Sequence, residues 1–154
     1  PIIPGTRVHS TLSNQLALFV VLYSPLQMAC DKIENYEKHP AEFQFLRDVP
    51  CDWEQSRLLD GNIGQYVVMA RQDRHSEDWY IGAITNEEPR EITIPLSFLG
   101  DGEWIATIYA DAPDADWKTN PYATTIETRP VSATEEIKIH LASGGGSAIR
   151  FVKR

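Results

Sequence analysis

Two aromatic side chains in one polar loop are the residues best suited to chemistry in this sequence. Trp117 and Tyr122 fall between Asp114 and Ala123, where few apolar neighbours exist for them to pack on. Exposed aromatic rings stack on sugar faces, so the pair reads as a carbohydrate platform. The competing reading has Trp117 closing one end of a β-sandwich or covering a domain junction. Just before this loop, Asp111, Asp114 and Asp116 concentrate oxygen ligands. Their spacing lacks the pattern and the downstream Glu of a calcium hand, and it predicts a solvated acidic loop. The histidines at 9, 39, 75 and 140 show no zinc-ligand spacing. Asp73, Glu77 and Asp78 around Arg74 and His75 read as a solvated hairpin tip. No nucleophile elbow is present, and Gly144-Gly145-Gly146-Ser147 precedes a strand pattern rather than a helix, unlike a phosphate loop. These patterns assign no catalytic residue and no metal ligand.

The elements that must position such residues change character near residue 50. With 154 residues, the chain is long enough for one domain, or one domain and part of another. Apolar residues at 42% and charged residues at 23% fit a globular protein. The net charge of −8, from 14 Lys+Arg against 22 Asp+Glu, argues against a nucleic-acid partner. The longest apolar run, Leu16 to Tyr23, falls far short of the roughly 20 residues of a bilayer span. The sequence starts at Pro1 without Met or leader features, which predicts an initiator or signal absent or already removed. Cys30 and Cys51 are too few for a disulfide framework; two thiols or one bridge both remain open.

From Thr6 to about Tyr23, Val8, Leu12, Leu16, Phe19 and Val20 recur at helical spacing, and Ser24-Pro25 ends the helix. Leu26 to Asp31 is a short apolar run suited to a buried strand. A second helix is predicted from Asn35 to Val49, with Pro50 as terminator. After Pro50 the period is two. Strands are predicted at 66–71, 79–85, 91–96, 103–110, 124–131, 136–141 and 148–152, the first two joined as a hairpin. Recurring strand and turn units predict an antiparallel sandwich of Greek-key type, each strand with one wet face. Trp53, Trp79 and Trp104 read as core. A lone helix–strand–helix cannot bury its own faces, so residues 1–50 pack on the sandwich or belong to a larger α/β body.

Several segments in order resemble glycoside hydrolase family 97. They are Thr6-Arg7-Val8-His9, Gln15-Leu16-Ala17-Leu18, Tyr23-Ser24-Pro25-Leu26-Gln27-Met28, Gly64-Gln65-Tyr66, Trp79-Tyr80-Ile81-Gly82-Ala83, Leu96-Ser97-Phe98-Leu99-Gly100 and the Gly144–Gly146 turn. The resemblance implies a mainly β chain in which residues 1–50 are the last helices and eighth strand of a (β/α)8 barrel. Residues 51–154 would be the C-terminal antiparallel β-sandwich. It implies a parent enzyme that hydrolyses α-glucosides or α-galactosides, usually with a bound calcium ion, in the periplasm or outside the cell. The family's catalytic glutamates and calcium ligands lie upstream of the matched region, so none is carried onto this sequence, which by itself is expected to be inactive and to hold no cofactor. Asp31 would follow the eighth strand at the mouth where barrel active sites form, with Asn35 and Tyr36 on the same loop. Asp31 is thus a third candidate for substrate contact beside Trp117 and Tyr122; otherwise it is a helix-entry cap.

The expected partners are the remainder of the barrel, an N-terminal domain and the parent enzyme's oligosaccharide substrate. Two other roles compete: a carbohydrate-binding module using Trp117 and Tyr122, and an oligomerisation domain. In the latter, the apolar helix face Leu16–Tyr23 would seek a second copy.

Overall fold

A computed structural model describes residues 7–154. The order of elements is α1 (Leu12–Val21), α2 (Ile33–Tyr36), α3 (Pro40–Asp48), then eight strands: β1 (Trp53–Asn62), β2 (Tyr66–Asp73), β3 (Trp79–Thr85), β4 (Arg90–Pro95), β5 (Glu103–Asp111), β6 (Thr124–Ser132), β7 (Glu136–Leu141) and β8 (Gly146–Lys153). All pairings are antiparallel. Six strands form one sheet in the order β1-β2-β3-β8-β5-β6, and β4 pairs with β7 in a second. The chain leaves the large sheet after β3 and again after β6, and returns at β5 and β8. The expected mainly β sandwich is therefore present, with helices added on its outer side.

The large sheet is apolar on both faces at its centre. Trp79, Ile81, Ala83, Ile149 and Phe151 point toward β4 and β7, whose Ile92, Ile94, Ile137, Ile139 and Leu141 complete the inner core. Tyr80, Tyr109 and Ala148 point the other way, onto Leu16, Ala17 and Val20 of α1 and Phe45 of α3. The expectation of one wet face per strand thus fails for β3 and β8, because α1 and α3 cover the second face. It holds for β4 and β7, where exposed and buried residues alternate. Trp53, Trp79 and Trp104 are buried, as core residues.

The helical segment departs from expectation in three places. The predicted start at Thr6 lies outside the described residues. Residues 7–11 are not helical, because Thr11 is the N-cap: its hydroxyl accepts from the Asn14 amide at 3.2 Å. Leu26–Asp31 forms no strand and makes no ladder pairing; the six-stranded sheet ends at β1 and β6, and among the described residues no strand pairs with this segment. The predicted helix over 35–49 is split, since Pro40 cannot donate to the preceding turn and drives His39 out of helical geometry, to φ −127°. Pro40 opens α3 instead.

The apolar face Leu16–Tyr23 is also distributed differently. Leu16, Ala17 and Val20 are covered by the sheet, while Leu22 and Tyr23 remain exposed beyond the helix end. Helix and sheet approach closely enough to require glycine at position 82. A Cβ there would stand 2.5 Å from the Ala17 carbonyl oxygen and 2.9 Å from the Val20 Cβ. Gly82→Ala is therefore expected to destabilise the protein by about 1–3 kcal/mol through overpacking. Urea unfolding should show a lower midpoint with unchanged slope; an unshifted midpoint would contradict the tight seat of α1.

Candidate functional site

Two sites carry the polar and apolar groups that a globular core does not explain: a buried carboxylate junction, and an open groove on the far side of α1.

The junction is built where β5 ends. Tyr109 and Asp111 share the strand face that α1 covers, so the alternation places a carboxylate inside. Asp111 is buried, and its Oδ2 accepts from the backbone amides of Ala142 at 2.9 Å and Gly146 at 2.8 Å. Its Oδ1 makes no hydrogen bond among the described residues, although the hydroxyls of Thr11 and Ser13, at the start of α1, lie close enough to lower its pKa. The turn before β8 must be glycine for the same reason: a Cβ on Gly145 would fall 2.0 Å from Asp111 Oδ2. The turn in turn binds the helix, with Thr11 N–H donating to the Gly144 carbonyl at 3.1 Å and Asn14 Nδ2 to the Gly145 carbonyl at 2.9 Å. Burial pushes the Asp111 carboxyl above the ordinary carboxylate range, against the opposing pull of Thr11, the two amides and Ser13. The reading of Asp111 as part of a solvated acidic loop is thereby corrected. Asp116 does lie in the loop, where its Oδ1 accepts from the Lys118 and Thr119 amides and the Thr119 hydroxyl.

A second buried charge ties the other end of α1. Arg71, on the helix-facing side of β2, donates to the Val20 and Val21 carbonyls and to the Ser56 hydroxyl. Its guanidinium thus satisfies carbonyls left open at the helix C-terminus, and burial lowers its pKa. Sequence reasoning missed Arg71. The available signal was its parity with Val67 and Met69, on the face opposite Val68 and Ala70.

The groove, about 510 Å³, lies between α1, the segment 28–36 and α3. Its walls mix Phe19, Met28, Tyr36 and Phe43 with Asp31, Asn35, Lys38 and His39. Asp31 and Tyr122 both reach it. Asp31 is exposed, and its Oδ1 accepts from Asn35 Nδ2 at 2.6 Å and the Lys32 amide at 2.7 Å. The Asn35 bond, then the Lys32 amide, hold its carboxyl below the ordinary value. Tyr122, 65% exposed, stacks on His39 with centroids 5.5 Å apart. Trp117 sits elsewhere, against His9 at 4.6 Å and over the Gly144 turn, within about 3.1 Å of where a Gly144 Cβ would stand. The three candidates therefore divide, two to the groove and one to the junction.

Val8 and Met28 of the groove, and Leu22, Tyr23, Leu26 and Ile33 in the segment from the end of α1 to α2, are all more than half exposed. Both thiols are free, Cys30 exposed and Cys51 half-buried. Among the described residues, no three His, Cys, Asp or Glu side chains converge to hold a metal ion. No helix among the described residues is long and apolar enough to cross a membrane.

The sandwich from just before β1 to the penultimate residue of β8, residues 52–152, matches the family described as "Glycosyl-hydrolase 97 C-terminal, oligomerisation". The chain belongs to that family. A retaining alpha-galactosidase of Bacteroides thetaiotaomicron is 39% identical over 98% of the chain and 22% of its own length. A probable retaining alpha-galactosidase of Streptomyces bingchenggensis is 28% identical over 88% of the chain and 20% of its length. The family 97 enzyme of Pseudoalteromonas sp. strain K8, solved with panose, superposes with TM-score 0.94 at 49% identity. That match covers 96% of this chain and 23% of the enzyme. A beta-arabinopyranosidase superposes with TM-score 0.77 at 26% identity, over 95% of this chain and 22% of that one. The family 97 domain described here thus spans about a fifth of the length of the curated relatives it matches.

In this domain the Asp111 junction makes a two-part prediction. Asp111→Ala leaves the Ala142 and Gly146 amides buried without an acceptor and is expected to cost about 2–4 kcal/mol; Asp111→Asn, which keeps an acceptor, should cost much less. Because the folded carboxyl is raised above 3.8, the wild type is favoured below that pH and loses this contribution as pH rises through the folded value. Unfolding across pH 3.5–7 should therefore show Asp111→Asn gaining on the wild type as pH increases. A pH-independent difference would contradict the buried carboxyl.

Proposed function

We propose that this chain is the C-terminal part of an α-glycoside hydrolase, in which it closes the catalytic barrel and braces it with the sandwich. The observation that carries this reading is the unpartnered apolar edge beside a helix layer that is already seated. Leu22, Tyr23, Leu26, Met28 and Ile33 are exposed in and beside Leu26–Asp31, whose backbone has no ladder partner among the described residues. Unpaired backbone and a contiguous apolar rim together suit a strand awaiting its neighbours in a parallel barrel. The lengths of the relatives support the same reading, since each extends well beyond the region shared with this chain.

The reaction proposed for the whole protein is hydrolysis of an α-glycosidic bond, in keeping with the names of the α-galactosidase relatives. Such hydrolysis places two carboxyl groups roughly 5–9.5 Å apart across the scissile bond at a barrel mouth. This chain's part is to hold the barrel closed, and its sandwich, matched to a family described by oligomerisation, is the surface for self-association. Asp31, at the end of the proposed eighth strand, then stands at the barrel mouth with its orientation fixed by Asn35.

The pure 154-residue chain is expected to show no turnover of aryl α-galactosides or α-glucosides. Leu26→Asp should leave its melting temperature unchanged, because Leu26 is exposed here. In a polypeptide where the chain follows its barrel, the same substitution should abolish activity. Turnover by the isolated chain, or full activity of the Leu26→Asp enzyme, would contradict the reading.

A second reading, sugar binding by the sandwich itself, is favoured by the exposed Tyr122 ring stacked on His39. It predicts a saturable change in Trp fluorescence on titration with maltooligosaccharides that Tyr122→Ala removes. A flat titration would dismiss it.

A further inference from the structure

Apart from Tyr122 in the groove and the less exposed Ile126 and Val152, at 40% and 36%, the exposed apolar residues form two sets. One surrounds the groove and belongs to the barrel-facing side. The other lies on the β1–β2 hairpin, inside the region matched to the oligomerisation family. Ile63, at the turn, is fully exposed at 101%, and Leu58 on β1 is 65% exposed. Ile63 also forms the rim of an open groove of about 500 Å³ whose other apolar walls are Leu58, Tyr66, Val67 and Ile84. No contact among the described residues covers this isoleucine at the rim of an apolar groove.

We propose that this hairpin is the contact with a second copy of the chain, Ile63 of each copy entering the other's groove about a two-fold axis. The inference rests on the oligomerisation reading and adds its location and geometry. A two-fold contact requires one patch to carry both the projecting group and its receptor, and this hairpin carries both. The patch is held ready for docking. Asn86 N–H donates to the Gln65 carbonyl at 2.8 Å, tying the turn to the end of β3, and Gly64 takes the positive φ of 77° that the turn needs. On the wall of the groove, Tyr66 is fixed by its hydroxyl bond to Asp60 and by the Arg90 guanidinium over its ring. Little side-chain freedom is then lost on docking. Pairing of two β1 edges is the less suitable contact. Register shifts at Trp53/Gln55 and Leu58/Asp60 break the edge, and Glu54, Arg57 and Asp60 charge it, which are devices that block strand addition.

Sedimentation velocity of the 154-residue chain tests the proposal, using wild type, Ile63→Glu, Leu58→Ser and Leu26→Gln, each with its melting temperature. The expected result is a wild-type dimer whose dissociation constant rises at least tenfold in Ile63→Glu and Leu58→Ser, with melting unchanged at high dilution, and which persists in Leu26→Gln. Association of the Ile63→Glu chain as strong as wild type would overturn the hairpin contact while leaving the oligomerisation reading standing. Loss of the dimer in Leu26→Gln alone would overturn it in favour of the barrel-facing edge. A wild-type monomer at millimolar concentration would overturn both the contact and the oligomerisation reading.

Discussion

Strands β3 and β8 have no wet face, and the rest of the molecule follows from covering them twice. On one side the two-stranded β4–β7 sheet supplies isoleucines and Leu141. On the other, α1 lies so close that Gly82 can carry no side chain, and Gly146 likewise faces Asn14 at a distance that leaves no room for a Cβ. A helix held by backbone approach has little freedom to slide, because interiors are packed to crystal density. Its two ends are then fixed by polar groups that could not remain buried without partners. Asp111 holds the glycine turn, which itself accepts from Thr11 and Asn14 at the start of the helix, and Arg71 takes up the carbonyls at its end.

This arrangement separates what the chain completes from what it leaves open. Phe45 of α3 packs edge-on against Tyr80 and Tyr109, and Arg150 of β8 pairs with Asp48 at the end of α3 and with Asp78. α1 and α3 are therefore both anchored on the sandwich, α1 through Leu16, Ala17 and Val20 and α3 through Phe45. What remains uncovered is the side of the helix layer away from the sheet, where Leu22 to Ile33 stands. The apolar groups of Leu22 to Ile33 thus stay outward although the helices around them are in place.

The strands were legible because their apolar residues alternate: Trp79–Thr85 emerges with the predicted bounds, and the β2–β3 hairpin pairs Tyr66 with Thr85 through Gln72 with Trp79. β1 was not legible. It is an edge strand in which only Trp53 is buried, so no alternating pattern marks it and its ladder hydrogen bonds alone define it. Leu26–Asp31 stays unpaired among the described residues, since an apolar run forms a strand only where another strand lies alongside. Pro40 carried a readable signal that dominates the helical spacing around it. At the candidate sites, loop composition suggested solvated carboxylates, and the parity of Asp111 with Tyr109 was the stronger indicator. Tyr122 was correctly placed at the surface, whereas Trp117 found cover on a glycine turn that is distant in sequence.

Native-state hydrogen exchange tests most directly whether the helix layer and the sandwich form one cooperative unit with a single open edge. Amides of α1 and α3 should exchange only with the slow class of β3, β5 and β8, while Leu26–Asp31 exchanges at rates near those of an unprotected chain. Fast exchange throughout α1 with β3 and β8 still protected would contradict the account, as would protection of Leu26–Asp31 in the isolated chain.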